Sequence, residues 1–504
     1  MLTQRTASGV GAMLVANILG RVAGLAAQIV TGFVLLDAEF GVFAMAIGVM
    51  TVSGLLRGGE IQNYLVSLPP ARRRFRTGSA FWLSEGFYLI GVIPVLILTP
   101  WLSRYLEQPD LPVLIWILSA SMLLAPVRFV LRARLNAELR FEINARATLL
   151  NTLVQYPLMI VLALVLGNAL ALCIPVFAGV AAELVYLFAK ARPTRYDFIP
   201  SRRILPKLLH QIRWLLAVAA MTSLWTSGDY FIAEFFVPAA ILGTYYFGYQ
   251  LAVQPGRLFM VTVTSILVPV VRRVGDDTTR LQSVIRRLIG TGGFAIAVVN
   301  ISMLAGIRPL EAFIWNEKWV DSVFAVQVLS IGLTFTAILG IATTPLLAER
   351  RYVESLIVNG VRALAVVLGA GIGAAVWGTV DGIAMMVSLC MGLSGIGATA
   401  WLGSRYGLTM SRVVPHLLRC TAPVILAGIV AAFIGNTAID AMDPGRSGAL
   451  VAGIVAGGCY AFLLLIALRF LPSDTSREVV SLTPARFRGL VARFAGQPRS
   501  TQES

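Results

Sequence analysis

Four arginines stand inside stretches that are otherwise apolar: Arg21, Arg57, Arg257 and Arg362. A charged side chain near the centre of a bilayer costs about 2.5–3.5 kcal/mol even on the gentler insertion scales, so each must face a cavity or a partner. A guanidinium stays charged at any physiological pH, is less strongly hydrated than an ammonium, and presents a fork of donors that matches phosphate oxygens. The chemistry these residues suit is therefore the gripping of an anion in a low-dielectric cleft. Polar neighbours recur at helical spacing. Asn17, Arg21, Gly24, Gln28 and Thr31 form one stripe, Tyr246, Gln250, Gln254 and Arg257 a second, and Thr222, Thr226 and Asp229 a third. Stripes from both halves of the chain imply a polar cleft, with Arg21, Arg57, Arg257, Arg362, Gln28, Gln250 and Gln254 as its expected substrate-binding residues. Two of the arginines have simpler explanations: Arg57 and Glu60 lie three residues apart and can neutralise each other, and Arg362 can snorkel to the interface.

Three acids, Glu85, Glu183 and Asp229, also fall inside apolar stretches. Each can pair with an arginine, bind the proton or sodium ion that drives transport, or stay protonated in an apolar niche. Asp229 is the best coupling candidate, because it belongs to a stripe.

The elements that position these residues are transmembrane helices. Of 504 residues, 57% are hydrophobic and only 13% charged, against about 25% charged in soluble domains. Apolar runs of the roughly 20 residues needed to cross hydrocarbon recur almost end to end, giving an all-α polytopic membrane protein of about fourteen helices. Spans one, two, seven and eight fall near residues 11–36, 40–66, 213–237 and 241–270. Of the 41 Lys and Arg residues, 33 lie on one side of the membrane by this count, four on the other and four within spans. That asymmetry places both termini in the cytoplasm and accounts for the net charge of +16 without nucleic acid.

The two halves of the chain also resemble each other. Phe40-Gly41-Val42-Phe43 opens span two and Leu242-Gly243-Thr244-Tyr245 opens span eight; Arg57 and Arg257 follow those glycines after 16 and 14 residues. The matched offsets suggest parallel six-helix repeats: an N-terminal lobe (1–195), a C-terminal lobe (196–404), two further helices (405–471) and a basic tail (472–504). The stretch from Ala485 to Phe494 alternates basic and apolar residues, which suits either an amphipathic helix on the anionic leaflet or a solvated tail. No loop is long enough for a catalytic domain. The four cysteines are scattered, and the two histidines, His210 and His416, lie near cytoplasmic loops, so neither a metal site nor a cofactor is expected.

On these features the sequence resembles the bacterial polysaccharide-unit flippases of the multidrug/oligosaccharidyl-lipid/polysaccharide exporter superfamily. The resemblance rests on the helix plan, on the turn from Leu36-Asp37-Ala38-Glu39 into Phe40-Gly41-Val42-Phe43, and on Gly228-Asp229-Tyr230-Phe231-Ile232. It rests also on Gln254-Pro255-Gly256-Arg257 and on Leu267-Val268-Pro269-Val270-Val271-Arg272-Arg273. It implies a transporter in the bacterial inner membrane, not an enzyme. The implied activity is alternating-access export of an undecaprenyl-pyrophosphate-linked oligosaccharide for exopolysaccharide or O-antigen synthesis. A polysaccharide polymerase is a candidate partner, and H+ or Na+ the coupling ion. Related peptidoglycan-precursor flippases place cavity arginines in helices one, two and eight, where Arg21, Arg57 and Arg257 stand, but the first-helix stripe here holds a single arginine. A drug or cation exporter of the superfamily is the first rival and a polysaccharide polymerase or ligase the second; the first calls for cavity acids, the second for a large external loop.

The basic-residue asymmetry makes a direct prediction. Reporter fusions after Arg76, Arg146 and Arg287 should read as cytoplasmic, and fusions near Asp110, Lys318 and Asp443 as external. Reversal at two or more of these sites overturns the orientation or the helix count.

Overall fold

A computed structural model describes residues 2–56, 61, 65–66, 68–274, 278–349, 351–442, 445–483 and 485–495, and these are helical with no strand. The helices are α1 (Leu2–Val34), α2 (Asp37–Ser53), α3 (Pro70–Tyr105), α4 (Leu111–Leu123), α5 (Ala125–Ala137), α6 (Phe141–Leu166), α7 (Leu170–Ala191), α8 (Leu205–Ala233) and α9 (Ala239–Val274). They continue as α10 (Thr278–Arg287), α11 (Gly293–Trp315), α12 (Val320–Ala348), α13 (Tyr352–Trp377), α14 (Val380–Arg405), α15 (Met410–Asp440) and α16 (Arg446–Ala467). Two short helices, α17 (Ser473–Leu482) and α18 (Ala485–Phe494), complete the chain. Helix dominates because hydrocarbon supplies no partner for a backbone N–H or C=O, and a helix satisfies both internally.

Eleven segments among the described residues are long and apolar enough to cross a membrane. They match the expected spans except 40–66, 213–237 and 241–270. The described part of the first, α2, is only 17 residues long. α8 and α9 have ample length, 29 and 36 residues; α8 carries the Thr222-Thr226-Asp229 stripe, which dilutes its apolarity, and the side chains of α9 beyond Met260 lie outside the described residues. Pro126 interrupts the membrane segment Leu111–Ala137: lacking an N–H, it cannot bond the Met122 carbonyl, and the chain restarts as α5 after Leu124. The segment from Ala485 forms α18, whose Val491 and Phe494 pack against the hydrophobic cluster around Leu468 and Leu471.

The chain divides into two compact units. The first comprises Met1–Tyr246 with Tyr352–Ala375, the second Phe247–Arg351 with Val376–Ser504. In the first unit α1 lies along α6, α6 along α7, and α2 along α8. Gly20 and Gly24 face Thr152 and Tyr156 of α6, the small-xxx-small spacing that lets membrane helices approach closely. In the second unit α12 packs along α14, and α11 against α12, α15 and α16.

Glycines from the two matching motifs meet inside the first unit. A Cβ on Gly41 would strike the Ala239 carbonyl, and one on Gly243 would strike the Asp37 carbonyl. Ala239 precedes Gly243 by four residues, and Asp37 precedes Gly41 by four, so the contact is reciprocal. Close by, the Glu39 carboxylate accepts the Ala169 N–H at 2.6 Å, capping the start of α7. The Asp37–Phe43 motif is thus a helix-crossing device.

Gly41→Ala and Gly243→Ala should each lower stability by about 1–3 kcal/mol through overpacking. Gly458→Ala, within α16 where a Cβ meets nothing within 4 Å, should be neutral or stabilising, because it removes only the helix-weakening flexibility of glycine. Melting temperatures of the purified proteins decide the matter, and an unchanged value for Gly41→Ala and Gly243→Ala contradicts the tight crossing.

Candidate functional site

The first unit holds two polar clusters. In one, Glu183 of α7 is only 1% exposed and is held by three side chains. Arg132 of α5 brings Nε and Nη2 to Oε1 at 2.7 and 2.6 Å, Arg128 brings Nη1 to Oε2 at 3.3 Å, and Asn151 of α6 donates to Oε2 at 3.1 Å. Arg132 also donates to the Thr148 hydroxyl at 3.0 Å, which in turn donates to the Asn144 carbonyl. A buried carboxylate persists only when charge and lone pairs are both matched, and Glu183 has both. Sequence reading missed Arg128 and Arg132 as its partners because they sit in the basic flank of α5, beyond the apolar run.

The second cluster joins α8 to α13. Gly228 faces Val367, Gly371 faces Ile232, and Arg362 places its Cζ 3.7 Å from the centroid of the Trp225 ring. Arg362 is 7% exposed, so it is a buried cation resting on an aromatic face, an arrangement worth about 2 kcal/mol when desolvated. One turn along α8, Asp229 accepts the Tyr245 hydroxyl at 2.8 Å, while its second oxygen is buried with no hydrogen-bond partner among the described residues. Thr222 and Thr226 donate back to the carbonyls of Val218 and Thr222, both at 2.8 Å, leaving only lone pairs to offer. Glu234 was missed entirely. It is 2% exposed, and neither carboxylate oxygen has a hydrogen-bond partner among the described residues. Its signal was an acid set among Phe231-Ile232-Ala233 and Phe235-Phe236-Val237.

Arg21 and Gln28 are half-buried on α1, and Glu85 is half-buried on α3. Arg57, with Glu60, lies outside the described residues. In the second unit Arg257 donates to Gln250 one stretch earlier on α9, at 3.4 Å, and Gln254 is half-buried between them in sequence. Beside Arg257, a Cβ on Gly256 would come within 2.8 Å of the Asn300 amide oxygen on α11. Asn300 is buried, and both of its amide atoms lack a partner among the described residues; the sequence reading passed it over as one polar residue in an apolar run. The structure thus sets Arg362 against Trp225, one turn from Asp229 along α8, groups Arg257 with Gln250, and gives Glu183 a separate network.

Two pockets accompany these clusters. One, of about 250 Å³ in the first unit, is lined by Asn17, Arg128, Arg132, Thr148, Asn151 and Glu183 among others. The other, of about 500 Å³ in the second unit, is lined by Arg286, Arg287, His416, Asp474 and Glu478 among others. It adjoins a single π-helical turn, Leu288–Gly292.

Comparison with known proteins agrees with this architecture. The lipopolysaccharide biosynthesis protein WzxC of Escherichia coli (strain K12) is 22% identical over 338 residues, 66% of this chain and 67% of that protein. An uncharacterized membrane protein in the cps region of Klebsiella pneumoniae is 21% identical over 321 residues, 62% of this chain and 64% of its own. The chain therefore spans about two thirds of the length of these relatives. Among solved structures, the lipid II flippase MurJ in an inward closed conformation superposes with a TM-score of 0.67 at 14% identity, covering 91% of this chain and 98% of that one. An inward-facing multidrug resistance MATE family transporter of the MOP superfamily gives 0.59 at 16% identity, over 77% and 94%. These likenesses establish an all-α fold shared with membrane transporters. The family model described as Polysaccharide biosynthesis protein matches residues 34–324, more than half of the chain, and the protein belongs to that family.

Proposed function

We propose that the protein flips undecaprenyl-pyrophosphate-linked oligosaccharide units from the cytoplasmic to the periplasmic leaflet of the bacterial inner membrane, by alternating access, for exopolysaccharide or O-antigen synthesis. The observation that carries this reading is the family match joined to arginines within membrane helices. Polysaccharide biosynthesis supplies a pyrophosphate-bearing lipid, and Arg21, Arg257 and Arg362 supply cations suited to it. The name of the WzxC relative and the flippase fold of MurJ support the same activity. A drug or cation exporter is less well supported, because the family model concerns polysaccharides and the MATE likeness is one of fold. The MurJ likeness, at 14% identity, likewise does not assign a peptidoglycan precursor. A polymerase or ligase has no support among these relatives.

In this reading Arg21, Arg57, Arg257 and Arg362 engage the pyrophosphate, and Gln28, Gln250 and Gln254 donate to it or to the first sugar. Both termini lie in the cytoplasm, and a polysaccharide polymerase receives the product. Transport is coupled to H+ or Na+ through Asp229, with Glu85 a lesser candidate; Glu183 serves chiefly as the counter-ion of Arg128 and Arg132.

Asp229→Asn keeps the shape of the side chain and removes its ionisation. Export by that variant should fall at least tenfold at equal protein level; polymer output equal to wild type eliminates Asp229 as the coupling residue.

The arginines are tested by polymer output, and by accumulation of carrier-linked units, in a strain lacking the native gene. Arg21→Lys and Arg257→Lys keep the charge but lose the fork, so each should reduce export, and the alanine variants should reduce it further. All four should still insert: the lysine variants keep a charge that the helices already accommodate, and the alanine variants remove it, which eases insertion. Full export by both alanine variants, with the protein present, discards the anion grip.

A further inference from the structure

The pocket of about 250 Å³ in the first unit belongs to none of the roles above. Its charges do not cancel. Two guanidiniums, of Arg128 and Arg132, face one carboxylate, that of Glu183. The distances show which cation Glu183 compensates: Arg132 sits at 2.6–2.7 Å, the range of a charge-assisted bond. Arg128 stands off at 3.3 Å, so it holds the surplus positive charge. Its side chain is 24% exposed and lines the pocket, with most of its five N–H donors left for another acceptor. Asn17 of α1, an exposed residue, also lines the pocket.

The pocket of the first unit also lies at the basic end of its helices, where Arg128, Arg132, Arg134 and Arg140 follow the apolar run of α4 and Lys190 closes α7. That is the level of lipid phosphates, to which basic juxtamembrane residues are drawn. A space of about 250 Å³ admits a phosphate group with its ester atoms.

We propose that this pocket binds the phosphate of a membrane lipid, gripped by Arg128 while the Arg132–Glu183 pair holds the wall in place. The ligand is a phosphodiester or pyrophosphate at the end of an apolar tail, supplied either by an anionic phospholipid of the bilayer or by a polyprenyl pyrophosphate. The assignment does not depend on which molecule the protein transports.

The test uses the full-length protein in phosphatidylcholine nanodiscs, with bound lipids counted by native mass spectrometry. One titration adds phosphatidylglycerol and the other undecaprenyl pyrophosphate. Arg128→Gln should weaken the tightest bound lipid of one series about tenfold, the scale of one charge-assisted contact, and Arg128→Lys should recover part of it. The series that responds identifies the source. Glu183→Gln raises the pocket from one surplus charge to two and should tighten the same binding, a sign that a purely structural salt bridge does not give. Should Glu183→Gln fail to fold, the Arg128 pair decides alone. Affinities within twofold of wild type in both series for a folded Arg128→Gln protein overturn the proposal.

Discussion

A charge carried into hydrocarbon must be matched there, and this constraint organises the molecule. The chain meets it in graded ways. Glu183 is matched completely, by two guanidiniums and an amide. Arg362 is matched by the face of Trp225, and Asp229 on one oxygen by Tyr245. Each solution ties helices to one another: α5 and α6 to α7, α9 to α8 and, across the longest stretch of sequence, α13 to α8. Because lipid tails are as apolar as leucine, burial gives little drive for helices to associate, and such polar ties with close packing take its place.

Close packing depends in turn on where a side chain is missing. The reciprocal contact of Gly41 with Ala239 and of Gly243 with Asp37 brings α2 and α9 backbone to backbone. Gly48 extends the same principle along α2, where a Cβ would meet the Phe231 backbone and the Glu234 carboxylate. A motif that reads in sequence as two aromatics around a glycine is therefore a steric instruction, and the glycine of the matching motif, Gly243, meets the same constraint.

Much of this was legible in the sequence, and the boundary of legibility is physical. Apolar length fixed the helices, since a span needs about 20 residues whatever its neighbours. Polar stripes marked one face each of α1, α8 and α9. Periodicity gives the face of a helix but not the helix it meets, so the pairing of Arg362 with Trp225 and of Glu183 with Arg128 and Arg132 could not be read. Glu234 and Asn300 escaped for a second reason: neither belongs to a stripe, and an isolated polar residue in an apolar run carries no periodic signal. Their burial, with polar atoms lacking partners among the described residues, becomes visible only when the neighbouring helices are in place.

The graded matching of charge also separates residues that hold the fold from residues suited to transient contacts. A group that must take up and release a ligand on every cycle cannot be bound tightly to its own protein, because each internal bond has to be broken before the ligand gains anything. The Arg132–Glu183 pair, at 2.6–2.7 Å with both carboxylate oxygens engaged, is unsuited to that work. Arg257, whose bond to Gln250 is 3.4 Å long, can exchange a neutral amide for a phosphate at small cost, since a stretched bond to an uncharged acceptor contributes less than a charge-assisted one. Arg128 lies between these limits, charged, partly exposed and 3.3 Å from a carboxylate that Arg132 already satisfies. Under the proposed roles, the spread of distances answers two demands on the same residue type: arginines that fasten helices take the short bonds, and arginines that would meet a mobile anion keep the long ones.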